Sequence, residues 1–181
     1  MVESLDLPQA YMKDDAFLMR YLSAKDFHLK AAFEHLRQVL EIRKDEKIDS
    51  VLDEDWSEYE KRFPYSISSV SKEGRPVLYY PYGQWDISKE MATGDFQKFS
   101  RYSGYKILEE ADRKVHEMRG ENNEISSFDL IVDFKDYTLE KHGCIECIQT
   151  YREVMRQTEI PFNGASNKIY FINSKLFTRF T

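Results

Sequence analysis

Phe128-Asp129-Leu130-Ile131-Val132-Asp133-Phe134 is the stretch on which the fold turns. Its residues alternate between two sides of an extended chain, Phe128, Leu130, Val132 and Phe134 on one and Asp129, Ile131 and Asp133 on the other. A helical pattern follows from about Leu139 to Gln157, with Ile145, Ile148, Tyr151, Val154 and Met155 expected to point inward. Pro161 and Gly164 mark a loop, and Lys168-Ile169-Tyr170-Phe171-Ile172-Asn173 reads as a second, buried strand. Strand, helix and strand over roughly 45 residues form a βαβ unit, which calls for parallel pairing and a right-handed crossover.

Working back from this unit, Gly94 to Arg119 carries the longest helical pattern, with Phe96, Phe99, Ile107, Leu108, Ala111, Val115 and Met118 near helical spacing and Gly120 as the stop. Ser66 to Val70 and Val77 to Tyr80 flank the turn-rich Ser71-Lys72-Glu73-Gly74-Arg75-Pro76 and predict a hairpin that ends at Pro81. Residues 45–63 gather acids (Asp45, Glu46, Asp49, Asp53, Glu54, Asp55, Glu58, Glu60) and read as a linker with one short helical turn. Before it, Asp14 to Ser23 and a second stretch from Asp26, as cap, to about Lys44 predict a helical hairpin. Leu29, Ala32, Phe33, Leu36, Val39 and Leu40 form the inward face of the second helix. The division expected is 1–63, helical with an acidic linker, and 64–181, α/β.

Composition excludes several functions. A net charge of -6 disfavours nucleic acid and strong capture by an anionic membrane. The first residues hold no apolar run, and no stretch reaches the roughly 20 apolar residues of a membrane span. The two cysteines are too close together for an ordinary disulfide framework, and the chain reads as cytosolic. The 14% aromatic content exceeds what a minimal core needs.

Motifs for chemistry are few. A dinucleotide fingerprint, a phosphate loop and a nucleophile elbow are all missing. Cys144-Ile145-Glu146-Cys147, beside His142, could be a metal or redox site, but it lacks a second ligand pair. The plainer reading packs both thiols as small hydrophobes on one helix face and expects no metal. Asp133, Asp136 and Glu140 read as loop carboxylates capping the next helix, and His28, His35 and His116 as surface residues.

Three segments together resemble a known family. Asp15-Ala16-Phe17-Leu18-Met19-Arg20-Tyr21-Leu22-Ser23-Ala24-Lys25-Asp26-Phe27 is similar to the D-x-x-L-L-R-F-L-R-A-R-x-F signature of the CRAL-TRIO family, and Leu40-Glu41-Ile42-Arg43-Lys44 to the end of its second helix. Gly74-Arg75-Pro76-Val77-Leu78-Tyr79-Tyr80 resembles its G-R-P-V strand, and the two strands quoted first resemble its central pair. The resemblance is strongest to the phosphatidylinositol/phosphatidylcholine transfer protein-like and supernatant protein factor (tocopherol-associated) group. It implies an α/β fold: an N-terminal helical module, then a mixed sheet with helices on one face and a lipid pocket on the other.

It also implies a non-enzymatic protein, without cofactor or catalytic residue, that binds and transfers a phospholipid or similar lipid. It would be cytoplasmic, with transient peripheral contact with membranes. The alternative is an adaptor that uses the same fold to contact a protein or membrane without a ligand. Phe128, Leu130, Val132, Phe134, Ile169 and Phe171 are the expected ligand-binding residues, on a strand face turned away from the packing helices, with Ile131 toward them. Compared with the family, the domain reads as incomplete at its C-terminus. Leu176, Phe177 and Phe180 would then lack cover, and the open edge could pair with a partner or a second copy.

Overall fold

The structure, a computed structural model, describes residues 5–119 and 125–174. Its sheet has four strands in the order β1-β2-β3-β4. They are β1 (Ser66–Val70), β2 (Pro76–Tyr80), β3 (Phe128–Asp133) and β4 (Ser166–Ile172). The hairpin pairs β1 with β2 antiparallel, and β2, β3 and β4 run parallel, so the sheet is mixed as expected. Leu78, Leu130 and Ile169 stand side by side in one row, and Tyr80, Val132 and Phe171 in another. Partners in a ladder point to the same side, so these six residues share one face.

That face meets the helices, which corrects the orientation read from the sequence. Leu78 is fully buried and Phe128 is 1% exposed, both packed with Trp85, Phe99, Tyr102 and Ile107. The Tyr80 hydroxyl donates to the carbonyl of Ser103 at 3.0 Å. Ile131, expected toward the helices, lies instead on the opposite face, in register with Tyr79 and Tyr170. Alternation separates two faces but does not say which one the helices cover. The cover is set by the long connection from β2 to β3, whose last helix packs on both strands.

That connection contains α4 (Ile87–Thr93), α5 (Phe96–Ser100), a π-helical stretch at Arg101–Lys106, and α6 (Ile107–Met118). The single helix expected from Gly94 is therefore subdivided, and Gly94 itself, at φ 78°, caps α4. Gly120 lies outside the described residues. Among these helices, Gly83 in the turn after β2 is obligatory, because a Cβ there would come within 2.1 Å of the Lys135 carbonyl oxygen.

The N-terminal hairpin comprises α1 (Asp15–Ser23) and α2 (Leu29–Asp45). Asp26 does not cap α2: it and Phe27 take φ values of 50° and 62° in the turn, and His28 precedes the helix. Leu29, expected inward, is exposed at the first turn of α2. Met12, Phe17, Tyr21, Leu36 and Val39 form a small core of their own.

Residues 45–63 are no solvated linker. Ile48–Asp53 form a 3-10 helix and Ser57–Arg62 form α3, and Ile48, Val51, Trp56, Tyr59 and Phe63 are buried in the main core. Most acids of this stretch face outward, Asp49 accepts from the buried Arg43 at 2.7 Å, and the apolar residues, spaced irregularly, face in. His35 and His116, read as surface residues, are also covered. The His116 ring stacks on Tyr11 at 4.0 Å, between the N-terminal segment and α6.

Candidate functional site

The helix between β3 and β4 is broken into α7 (Leu139–His142) and α8 (Ile145–Glu159) at Gly143-Cys144. α8 packs on α4, α5 and the π-helical stretch, not broadly on the strands beside it. Gly104 permits this, since its Cα side lies against Thr158 and Val154 of α8 with no side chain between. The residues of α8 buried in that seat are Cys147, Thr150 and Thr158. Ile145, Ile148, Tyr151 and Met155, expected inward, are exposed, with Tyr151 at 51%. The expectation followed the apolar stripe, but the small and polar face of α8 is the one that fits the close approach to Gly104.

β4 shows the same inversion. It was expected to be a buried strand, yet Ile169, Tyr170, Phe171 and Ile172 are all exposed, Phe171 at 55%. It is an edge strand in the described sheet, and α8 stands off from it.

β4 and α8 together present an exposed apolar surface. Its floor is the helix-side face of the sheet toward β4, namely Leu130, Val132, Ile169 and Phe171. One end is closed by rings: Phe134 lies 6.0 Å from Phe171 and 5.6 Å from Tyr82, and Tyr82 lies 6.5 Å from Tyr151. This chain of contacts ties the β4 floor to the α8 wall. Tyr137 stacks on His142 at 4.4 Å behind Tyr82, and both ring nitrogens of His142 lie 3.0 Å from backbone carbonyls, of Thr138 and Tyr82.

Of the six residues expected to bind a ligand, Leu130, Val132, Ile169 and Phe171 lie on one sheet face, with the Phe134 ring 6.0 Å from that of Phe171. Phe128 lies at the far end of β3, sealed in the helical core. The α8 wall and the Tyr82–Tyr137–His142 end were missed; the aromatic density of Tyr79-Tyr80-Pro81-Tyr82-Gly83-Gln84-Trp85 was the available signal.

Asp133 closes the strand ends. Its carboxylate accepts from the Tyr79 hydroxyl at 2.6 Å, the Asn173 amide at 2.7 Å and the Lys135 backbone N–H at 2.8 Å. Burial pushes this carboxyl up, but the three donors prevail and hold it below the usual carboxylate range. It links β2, β3 and the end of β4 rather than capping α7, whose cap is Thr138.

Cys144 and Cys147 are joined in a disulfide, which replaces the two packed thiols expected from the sequence. Cys147 lies in the main core as expected of a small hydrophobe, while Cys144 is the cap of α8. Among the described residues no group of His, Cys, Asp and Glu is arranged to hold a metal, and no helix is long and apolar enough to cross a membrane. Two surface clefts lie elsewhere, one lined by Gln149, Arg152, Glu153 and Arg156, the other by residues that include Glu60, Tyr65 and Glu110.

The sequence of residues 60–180 matches a family model described as the CRAL/TRIO domain. The chain belongs to the CRAL/TRIO family. Patellin-1 of Arabidopsis thaliana is 30% identical over 165 residues, 89% of this chain and 27% of that protein. Patellin-2 of the same plant is 32% identical over 68% of this chain and 18% of its own length. A phosphatidylinositol/phosphatidylcholine transfer protein, SFH9, also of Arabidopsis thaliana, is 28% identical over 55% of this chain and 18% of its own. The chain therefore spans well under a third of these CRAL/TRIO relatives. The crystal structure of Sfh5 superposes with a TM-score of 0.71 at 14% identity, covering 94% of this chain and 58% of that one, and so shares its fold.

Proposed function

We propose that this chain binds a lipid without catalysing a reaction on it, and that the lipid's apolar part lies in a trough between β4 and α8. The observation that carries the reading is exposed apolar surface on neighbouring elements: Ile169 and Phe171 of β4 and Ile148, Tyr151 and Met155 of α8 are all open to water among the described residues, and the Tyr82 ring lies between them, 5.6 Å from Phe134 and 6.5 Å from Tyr151. Soluble chains rarely leave so contiguous an apolar surface without a ligand or partner for it. Leu130, Val132 and Phe134 complete the floor, and Phe128 supports it from the core. The family agrees, one relative being named a phosphatidylinositol/phosphatidylcholine transfer protein. A phospholipid, loaded and released in transient contact with a cytoplasmic membrane surface, is the ligand class that fits. Residues 64–181 would carry the ligand, with the helices of 1–63 docked beside them.

Delipidated chain is incubated with a total lipid extract, re-isolated, and its bound lipid identified by mass spectrometry. The expected result is near-stoichiometric lipid, reduced at least tenfold by Phe171→Asp. A chain that takes up no lipid would leave the adaptor reading in its place. The outer edge of β4 is the surface through which copies would pair, and sedimentation of the same sample should show dimers in the lipid-free state that disperse on loading.

A further inference from the structure

The disulfide between Cys144 and Cys147 has no part in the lipid reading. It spans the first turn of α8, a helix of 15 residues, with only Ile145 and Glu146 between the sulfurs. The two sulfurs are unequal. Cys147 is 3% exposed and packed in the main core, whereas Cys144 is half-buried at the helix start. Cys144 is also the cap: its Sγ accepts the backbone N–H of Cys147 at 2.9 Å. That N–H and the positive end of α8 would stabilise a negative charge on Cys144 and not on Cys147, which is directed toward the Lys141 carbonyl. Glu146 in the first turn opposes this effect, but its side chain is exposed and screened by water.

We propose that Cys144 and Cys147 form a thiol–disulfide exchange site whose electron donor is a dithiol, with Cys144 as the sulfur that exchanges. A thiolate of the dithiol attacks Sγ of Cys144. A new S–S bond forms to Cys144, the Cys144–Cys147 bond breaks, and the electron pair leaves on Cys147, which takes a proton from water. The second thiolate of the donor then attacks its own sulfur in the mixed disulfide. The donor closes to a cyclic or paired disulfide and Cys144 departs as a thiolate stabilised at the start of α8. Two electrons pass from the donor to the protein pair; of the two protons that the donor releases to water, one is taken up by Cys147 and the other stays in solution while Cys144 remains a thiolate, and the reverse sequence reoxidises the pair. The exposed Ile145 and Ile148 beside Cys144 give the donor an apolar landing surface. A purely structural disulfide would have both sulfurs sealed and would open only with the fold.

The full chain is equilibrated in mixtures of reduced and oxidised dithiothreitol, quenched with iodoacetamide and mapped by peptide mass, with far-UV circular dichroism recorded on the same samples. Reversible gain of two thiols with unchanged circular dichroism is expected, with Cys144 alkylated at least tenfold faster than Cys147. Cys147→Ser should form a one-to-one mixed disulfide with oxidised glutathione, and Cys144→Ser should not. If Cys147→Ser does not fold, the alkylation ratio in the unaltered chain decides. Reduction that occurs only together with unfolding, or alkylation of Cys144 no faster than Cys147, overturns the proposal.

Discussion

α6 and α8 flank the same sheet and invert each other's chemistry. α6 buries charge: Glu109 is fully covered and Asp112 is 2% exposed. α8 exposes its apolar stripe and buries Cys147, Thr150 and Thr158 instead. The difference lies in what each helix meets. Asp112 is gripped by Arg20 of α1 through both carboxylate oxygens, at 3.1 and 2.7 Å. Glu109 accepts from Arg43 of α2 at 2.8 Å and from Arg113 at 3.0 Å. Arg20 and Arg43 fasten the N-terminal hairpin to the α/β part. Among the described residues the apolar side of α8 has no such cover, and Ile145, Ile148, Tyr151 and Met155 are exposed there. A buried charge with a matched partner reads as structure, and an unmatched apolar stripe reads as function.

The sharpest way to break this contrast is to remove one partner inside α6. Burial would raise the Asp112 carboxyl, but the bidentate Arg20 guanidinium outweighs it and keeps the group below the usual carboxylate range. Asp112→Ala leaves Arg20 buried without its counter-ion and should cost about 3–5 kcal/mol in urea denaturation. A loss below about 1 kcal/mol would show that the hairpin is not fastened there.

A smaller effect should appear with pH. Burial, outweighing the attraction of Asp112, lowers the His116 imidazole from 6.5 to about 4, with Arg20, Arg119, Asp14 and Tyr11 also facing it. Between those values the unfolded chain binds a proton that the folded chain refuses. Stability should therefore fall as pH drops from 6.5 toward 4, by at most about 1.4 kcal/mol per unit. The Asp112 contribution is retained through this window and is lost only below its unfolded value of 3.8. Denaturation midpoints at pH 7 and 5 should differ in the unaltered chain and converge in His116→Phe.

The smallest effect belongs to α8. Ile148→Ser together with Met155→Gln should change stability by no more than about 0.5 kcal/mol, because neither side chain is covered. The same pair should weaken fluorescence of a bound hydrophobic dye. A loss of several kcal/mol would mean that the α8 stripe is covered in solution and the trough is closed.

Much of this was legible in the residues. Period-two alternation at 128–134 and 168–173 and the Gly-containing turn before Pro76 dictated strands, hairpin and parallel pairing, since side-chain direction in a strand depends on the local backbone alone. The family pattern followed from order and spacing. Of the residues expected to bind a ligand, Leu130, Val132, Ile169 and Phe171 share one sheet face, as the alternation requires.

What only the tertiary structure decided is which side of each element is covered. The helices chose the Leu130 face of the sheet, the seat at Gly104 chose the polar face of α8, and the arginines of the N-terminal hairpin made buried carboxylates tolerable on α6. Apolar residues of 48–63 joined the core despite the acids around them. Amphipathic patterns fix the two sides of a segment by short-range geometry. The choice between them depends on partners distant in sequence, and burial free energy is collected only once those partners have come together.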